Sequence, residues 1–203
     1  MKYAIAILLS YLLGSLNLAY FLSRKKGIDM RKGGSGNLGT SNATILLGWR
    51  LGILVGAHDI GKALAAVWLS RLLFSGTAYV SAAAGVAAVL GHIFPFYLGF
   101  KGGKGFAPFV GMTFALSWQL GLVIVVLIAL ATIITDYLAV GTFVSVTVVP
   151  VWMGIAQKSW ILPLILLVAT GVILFKHREN IGRILNGTEI GLRSTAKGEH
   201  KVK

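Results

Sequence analysis

Two glycine-rich segments hold residue types that bind anions. The first reads Asp29-Met30-Arg31-Lys32-Gly33-Gly34-Ser35-Gly36-Asn37-Leu38-Gly39-Thr40-Ser41-Asn42. Its composition is neither apolar nor helix-forming. The glycines permit positive φ, so successive peptide N–H groups can turn inward as an anion-binding nest. Ser35, Thr40 and Ser41 add hydroxyls, Asn37 and Asn42 add amides, and no acidic side chain occurs between Asp29 and Asp59. Flexible linkers share this composition, and the segment alone leaves both readings open. In the second segment, residues 92–105, Lys101 and Lys104 bracket Gly102 and Gly103, and Gly105 leads into an apolar stretch. Backbone N–H groups at a helix start, with two ammonium groups, suit phosphate; the alternative is a turn with ordinary cytoplasmic lysines. The GxxxxGK[ST] spacing is absent, so ATP hydrolysis is not indicated. His92 reads as structural before catalytic, and Pro95 should bend the chain beside it.

A third segment is Lys176-His177-Arg178-Glu179-Asn180-Ile181-Gly182-Arg183. If helix continues through it, His177, Asn180 and Ile181 share a face by i, i+3, i+4 spacing, with Arg178 on a neighbouring one. Histidine can take up a proton near neutral pH, and an asparagine can orient it or the substrate. A basic cap at the membrane interface is the alternative. Asp59 and Lys62, three apart in an apolar stretch, are expected first as a buried structural ion pair and second as groups orienting an adjacent site. Glu179 and Glu189 are read as structural partners of nearby arginines, outside the site.

The elements that must position these groups are membrane helices. Of 203 residues, 56% are hydrophobic and 12% charged, and the mean hydropathy is +0.82. Soluble domains carry about twice that charged fraction, so the surplus apolar surface is expected to face lipid. Apolar stretches run over 4–22, 51–74, 77–98, 106–118, 120–134, 137–155 and 160–175. They predict a single all-α transmembrane domain over 1–203, a helical bundle of about seven spans, several of them short. The first stretch is expected as a retained span rather than a cleaved signal peptide. Short breaks make successive spans antiparallel neighbours. Trp49, Trp118 and Trp160 suit interfacial anchors. Gly14, Gly85, Gly91, Gly111, Gly121, Gly141, Gly154 and Gly171 are expected where helices approach closely.

Charge sets the topology. Lys and Arg total 19 against 6 Asp and Glu. All but Lys2, Lys62, Arg71 and Lys158 fall in segments 24–50, 99–105 and 176–203. Alternating spans place these segments on one side, with the C-terminus. The positive-inside rule makes that side cytoplasmic and the N-terminus external. The three polar segments should then meet at one membrane depth, where a water-soluble phosphate compound meets a lipid chain. With no cysteine, disulfides, thiolate metal sites and Cys nucleophiles are excluded. A transporter for an anionic metabolite would need polar residues along a path through the membrane, or repeated halves. The spans offer few such residues beyond Asp59, Lys62 and Arg71, and no duplication is visible.

Over its whole length the sequence resembles the bacterial acyl-phosphate:glycerol-3-phosphate acyltransferases, small membrane enzymes that make lysophosphatidic acid. Gly34-Ser35-Gly36-Asn37, Gly39 and Asn42 look like the family's first motif. His92, Pro95 and the run from Phe100 through Gly105 look like the second. His177-Arg178-Glu179-Asn180-Ile181 and Arg183, followed by Gly187-Thr188-Glu189, look like the third. Two positions depart from the family pattern: Ile45 stands where Arg is frequent, and Ala63 follows Lys62 where Gly is frequent. The resemblance implies attack of the glycerol 3-phosphate hydroxyl on the acyl-phosphate carbonyl with release of inorganic phosphate, at the cytoplasmic side of the bacterial inner membrane. It implies Ser35, Lys104, His177 and Asn180 as catalytic residues. Gly34, Gly36, Asn37, Thr40, Ser41, Asn42, Lys101, Gly102, Gly103, Gly105, Arg178 and Arg183 are implied as substrate-binding. Lys104 would neutralise charge at the reacting centre, and Ser35 would donate a hydrogen bond rather than act as a nucleophile. Either His177 or the substrate's own phosphate would take the proton. Acyl phosphate, glycerol 3-phosphate and membrane lipid are the expected partners, with no nucleic acid, metal or cofactor.

Overall fold

The computed structural model describes residues 1–193, so Lys197, Lys201 and Lys203 of the third basic segment lie outside the described residues. Every regular element among them is helical. Five helical segments are long and apolar enough to cross a membrane, and a bent pair brings the number to six. The described residues divide into two compact units, 1–117 and 118–193.

The first unit contains α1 (Lys2–Ser15), α2 (Leu18–Lys25), α3 (Thr40–Leu47), α4 (Trp49–Leu73), α5 (Val80–Ile93) and α6 (Phe106–Leu116). The apolar stretch 4–22 is not one helix, as expected from hydropathy, but breaks between α1 and α2. Asn17 causes the break: its Oδ1 accepts from the Tyr20 amide at 2.9 Å as an N-cap, which competes with helix continuation. Residues Thr40–Asn42, read from composition as non-helical, open α3 instead. Gly48, at φ +91°, turns the chain from α3 back along α4, where a Cβ on Gly52 would lie 2.1 Å from Thr44 Oγ1. At the α1–α5 crossing, a Cβ on Gly14 would sit 2.1 Å from the Ala88 carbonyl, so only glycine permits this approach. At Gly171 the expected close approach is absent, and an added Cβ meets nothing within 4 Å.

The second unit contains α7 (Trp118–Thr135), α8 (Leu138–Gln157), α9 (Ile161–Lys176) and α10 (Arg178–Leu185). Left-handed residues Asp136 (φ +70°) and Lys158 (φ +48°) make the tight turns between α7, α8 and α9. Thr170 donates across from α9 to the Val146 carbonyl at 2.9 Å, near the one helix-interior proline of α8, Pro150. The carboxylate of Asp136 accepts from the Arg193 amide at 2.9 Å, and its carbonyl accepts from Leu192; the chain after α10 is fastened to the α7–α8 turn. Many large apolar side chains are exposed along these helices, including Leu122, Val126, Ile133, Ile155 and Leu164. A helix exposing such residues along its length suits lipid, not water. Trp49, Trp118 and Trp160 are exposed at helix starts.

Candidate functional site

The first glycine loop is held by the side chain of Asn42, which is fully buried on the first turn of α3. Its Nδ2 lies 2.8 Å from the Met30 carbonyl, 3.2 Å from that of Gly33 and 2.7 Å from that of Asn37. Its Oδ1 accepts from the Ser35 amide at 2.8 Å. One side chain thus fixes four points of the loop. Asn37 adds a second fastening, with Nδ2 2.9 Å from Ser35 Oγ and Oδ1 accepting from the Gly39 amide at 2.9 Å. Both amides point into the loop's own backbone and hold its shape. Gly34 (φ +55°) and Gly36 (φ +68°) occupy left-handed backbone, as a nest requires. A Cβ on Gly34 would meet Ile45 Cγ2 at 3.5 Å, so an apolar side chain borders the loop at the position where the family pattern has a cation. Nearby, the Arg31 guanidinium hydrogen-bonds Asp29 and holds its carboxyl below the usual range. Beneath the loop, Met30, Leu38, Ala43, Leu47 and Val55 form a buried apolar cluster.

The second loop folds back on the end of α5. Gly102 and Gly103 amides donate to the Ile93 and His92 carbonyls at 3.0 and 3.2 Å, using carbonyls that a helix end leaves unpaired. Gly99, Phe100 and Gly105 are left-handed, at φ +62°, +60° and +92°. Gly105 is also the N-cap of α6, so Lys101 and Lys104 stand just ahead of a helix N-terminus. Lys101 is exposed and Lys104 half-buried. The Leu38 amide donates to the Gly102 carbonyl at 3.3 Å, which joins the two glycine loops directly. Asn17 Nδ2 donates to the Leu38 carbonyl at 3.3 Å, so the break between α1 and α2 braces the same junction. Thr40 Oγ1 is buried and has no partner among the described residues; Ser41 is exposed.

Sequence reasoning placed Asp59 and Lys62 together, and they pair at 2.9 Å with both side chains almost fully buried. It left His92 out of this group. The ring of His92 lies 3.0 Å from Lys62 Nζ and 3.3 Å from Asp59 Oδ1 through Nδ1. The signal available was a buried-length apolar run containing a single imidazole, but no spacing rule links positions 62 and 92.

In the second unit, the expected continuous helix instead bends by 49° between α9 and α10. His177 is the residue at the bend. His177 and Asn180 are both buried, whereas Ile181 is exposed, so the expected three-residue face reduces to two. His177 Nδ1 lies 2.9 Å from the Ile173 carbonyl. A carbonyl only accepts, so Nδ1 carries a proton, and in the neutral ring the lone pair is then on Nε2. The ring meets Phe143 edge-on with centroids 6.0 Å apart. Arg178 lies over the Phe175 ring and donates to its carbonyl. Glu189, placed outside the site by sequence reasoning, accepts from Asn180 Nδ2 at 2.5 Å and pairs with Arg183 Nε at 2.7 Å. It therefore orients the Asn180 amide. Glu189→Leu should lower the melting temperature of the purified protein by removing the acceptor of two partly buried donors, a cost of about 1–3 kcal/mol. Glu189→Gln, which keeps one acceptor, should lose less. Equal melting of all three proteins would show that the bridge is not structural.

The glycerol-3-phosphate acyltransferase family model matches residues 4–187. The chain is 37% identical to glycerol-3-phosphate acyltransferase 1 of Oceanobacillus iheyensis, over 96% of this chain and 97% of the relative. It is 36% identical to glycerol-3-phosphate acyltransferase 2 of Thermotoga maritima, over 90% and 92%. Among solved structures it resembles PlsY, an integral membrane glycerol 3-phosphate acyltransferase. The glycerol 3-phosphate form superposes with a TM-score of 0.90 at 29% identity, covering 97% of this chain and 98% of that one. The lysophosphatidic acid form gives 0.85 at 30% identity, covering 94% and 95%. This all-helical, multi-pass integral membrane protein belongs to the glycerol-3-phosphate acyltransferase family, of the PlsY type.

Proposed function

We propose that the protein transfers an acyl chain from acyl phosphate to glycerol 3-phosphate, giving lysophosphatidic acid and inorganic phosphate. The observation that carries this reading is the junction of the two glycine loops through the Leu38–Gly102 hydrogen bond, in a chain similar to a PlsY structure in its glycerol 3-phosphate form. A glycerol hydroxyl oxygen attacks the acyl carbonyl carbon, the C–O bond to phosphate breaks, and the leaving phosphate carries off the electron pair. Phosphate is a good leaving group, so positioning and charge neutralisation supply most of the catalysis.

The glycine loops at Gly34, Gly36, Gly102, Gly103 and Gly105, with Thr40 and Ser41 hydroxyls and the Lys101 ammonium, hold the two phosphates. The Gly36, Gly102 and Gly103 amides already donate to the Gly33, Ile93 and His92 carbonyls and shape the loops rather than bind the anion. Asn37 and Asn42 keep the first loop in its binding shape. Lys104 neutralises charge at the reacting centre, and Ser35 donates a hydrogen bond. His177 Nε2 takes the hydroxyl proton, Asn180 orients the reacting groups, and Arg178 and Arg183 add cationic contacts. The whole chain serves as one acyltransferase domain. Counting the short α6 as a span gives seven crossings, with the N-terminus outside and the basic loops at the cytoplasmic face of the inner membrane. The test is phosphate release from a long-chain acyl phosphate by purified protein, with and without glycerol 3-phosphate. Release that needs glycerol 3-phosphate and yields lysophosphatidic acid is expected, with no turnover of an acyl thioester. Turnover of the thioester alone would replace acyl phosphate as the donor.

A further inference from the structure

Lys62 lies in the middle of α4, where a charge needs partners to be tolerated. Its ammonium has three hydrogens and no acceptor capacity. Three acceptors surround it: the Leu16 carbonyl at 2.7 Å, Asp59 Oδ1 at 2.9 Å and His92 Nδ1 at 3.0 Å. An ammonium can meet Nδ1 only at its lone pair, so the ring proton is on Nε2. Shifting the positive charge from Lys62 to His92 gives the same answer, because an imidazolium is protonated on both nitrogens. The neutral Nδ1–H form would give up the Lys62 contact and keep only the longer one, 3.3 Å to Asp59 Oδ1, an oxygen that already accepts from Lys62 at 2.9 Å. The shorter Lys62 contact therefore favours the states in which His92 presents Nε2–H.

That nitrogen faces the second glycine loop: a Cβ on Gly103 would lie 2.1 Å from His92 Nε2. The Gly102 and Gly103 amides tie the loop onto the same end of α5. Glycine at 103 lets the loop backbone lie against the edge of the buried imidazole, where any Cβ would clash. We propose that His92 Nε2–H is a further hydrogen-bond donor to the phosphate group held by the 101–105 loop, with Lys62 and Asp59 as positioning residues that set its tautomer. The proposal rests on the reading of that loop given above. It gives the Asp59–Lys62 pair a role at the site, since the pair fixes which edge of His92 meets the loop.

Two measurements on the full-length protein in lipid nanodiscs test this. Ring-¹⁵N-labelled histidine spectra, with the His92 signal assigned by its loss in His92→Gln, should show a proton-bearing Nε2. A His92 whose Nε2 carries a lone pair overturns the proposal without any kinetic result. In turnover assays, His92→Phe should raise KM for glycerol 3-phosphate or for acyl phosphate roughly 10- to 100-fold, the scale of one hydrogen bond to a charged group. Its kcat should stay within about threefold, as expected when binding rather than chemistry is lost. His92→Gln, which keeps an N–H donor, should recover most of the affinity. Lys101→Gln measured in parallel separates the two levels of the argument. If Lys101→Gln raises KM while folded His92→Phe does not, the His92 contact is wrong and the loop reading stands. If neither variant changes KM, the loop does not hold phosphate. Should His92→Phe fail to fold, the wild-type ¹⁵N spectrum and the His92→Gln kinetics decide.

Discussion

His177→Ala should lower kcat by roughly 10²- to 10⁴-fold, the usual contribution of a positioned general base, while KM for both substrates stays within a few-fold. The expectation comes from the bend between α9 and α10. There the Ile173 carbonyl accepts from Nδ1–H at 2.9 Å and Phe143 packs against the ring, so the buried imidazole, when neutral, has its lone pair on Nε2. Such a group is built to accept a proton, and removing it should act on the chemical step. Steady-state kinetics with glycerol 3-phosphate and acyl phosphate varied separately would show the split. A rise in KM with kcat unchanged would instead assign the proton to the substrate's own phosphate and leave His177 as a binding group.

Gly102→Ala should reduce kcat/KM by about 100-fold or more, through geometry alone. A Cβ at this position would lie 2.0 Å from the His92 carbonyl oxygen and 2.7 Å from Pro95 Cδ. Neither neighbour can give way cheaply, because one is backbone at a helix end and the other is a proline ring. The loop must therefore shift by about 1 Å, and displacements of that size at a reacting centre cost on the order of 10² in rate. The Leu38–Gly102 hydrogen bond would be disturbed with it, so both glycine loops should be affected. Gly171→Ala is the matching control: it adds the same methyl to a membrane helix where nothing lies within 4 Å, and activity should be retained. Normal turnover by Gly102→Ala would show that the loop tolerates displacement and is not a preorganised site.

Hydropathy was enough to find most of the helices, because lipid demands long apolar runs and charge is concentrated in the breaks. The stretches 51–74 and 160–175 correspond closely to α4 and α9. Asn17 escaped this reading, since a single amide in an apolar run changes average hydropathy little yet caps a new helix. Site residues in the glycine loops were legible as types. Their division of labour was not: Asn42 looked like a ligand donor in sequence, but its amide hydrogen-bonds backbone groups of its own loop.

Composition, charge asymmetry and three ordered motifs suffice to establish a basic, helical membrane protein of this acyltransferase family, because each is a property of local sequence. Long-range contacts decided the rest. Glu189 was assigned to arginines by proximity in sequence, whereas the fold also sets it against Asn180. His92 read as an isolated imidazole until α5 brought it within 3.0 Å of Lys62. A side chain's chemical type is written in the chain, but its partner, tautomer and working edge depend on which groups packing places within hydrogen-bond reach, and hydrogen bonding falls away within a few tenths of an ångström.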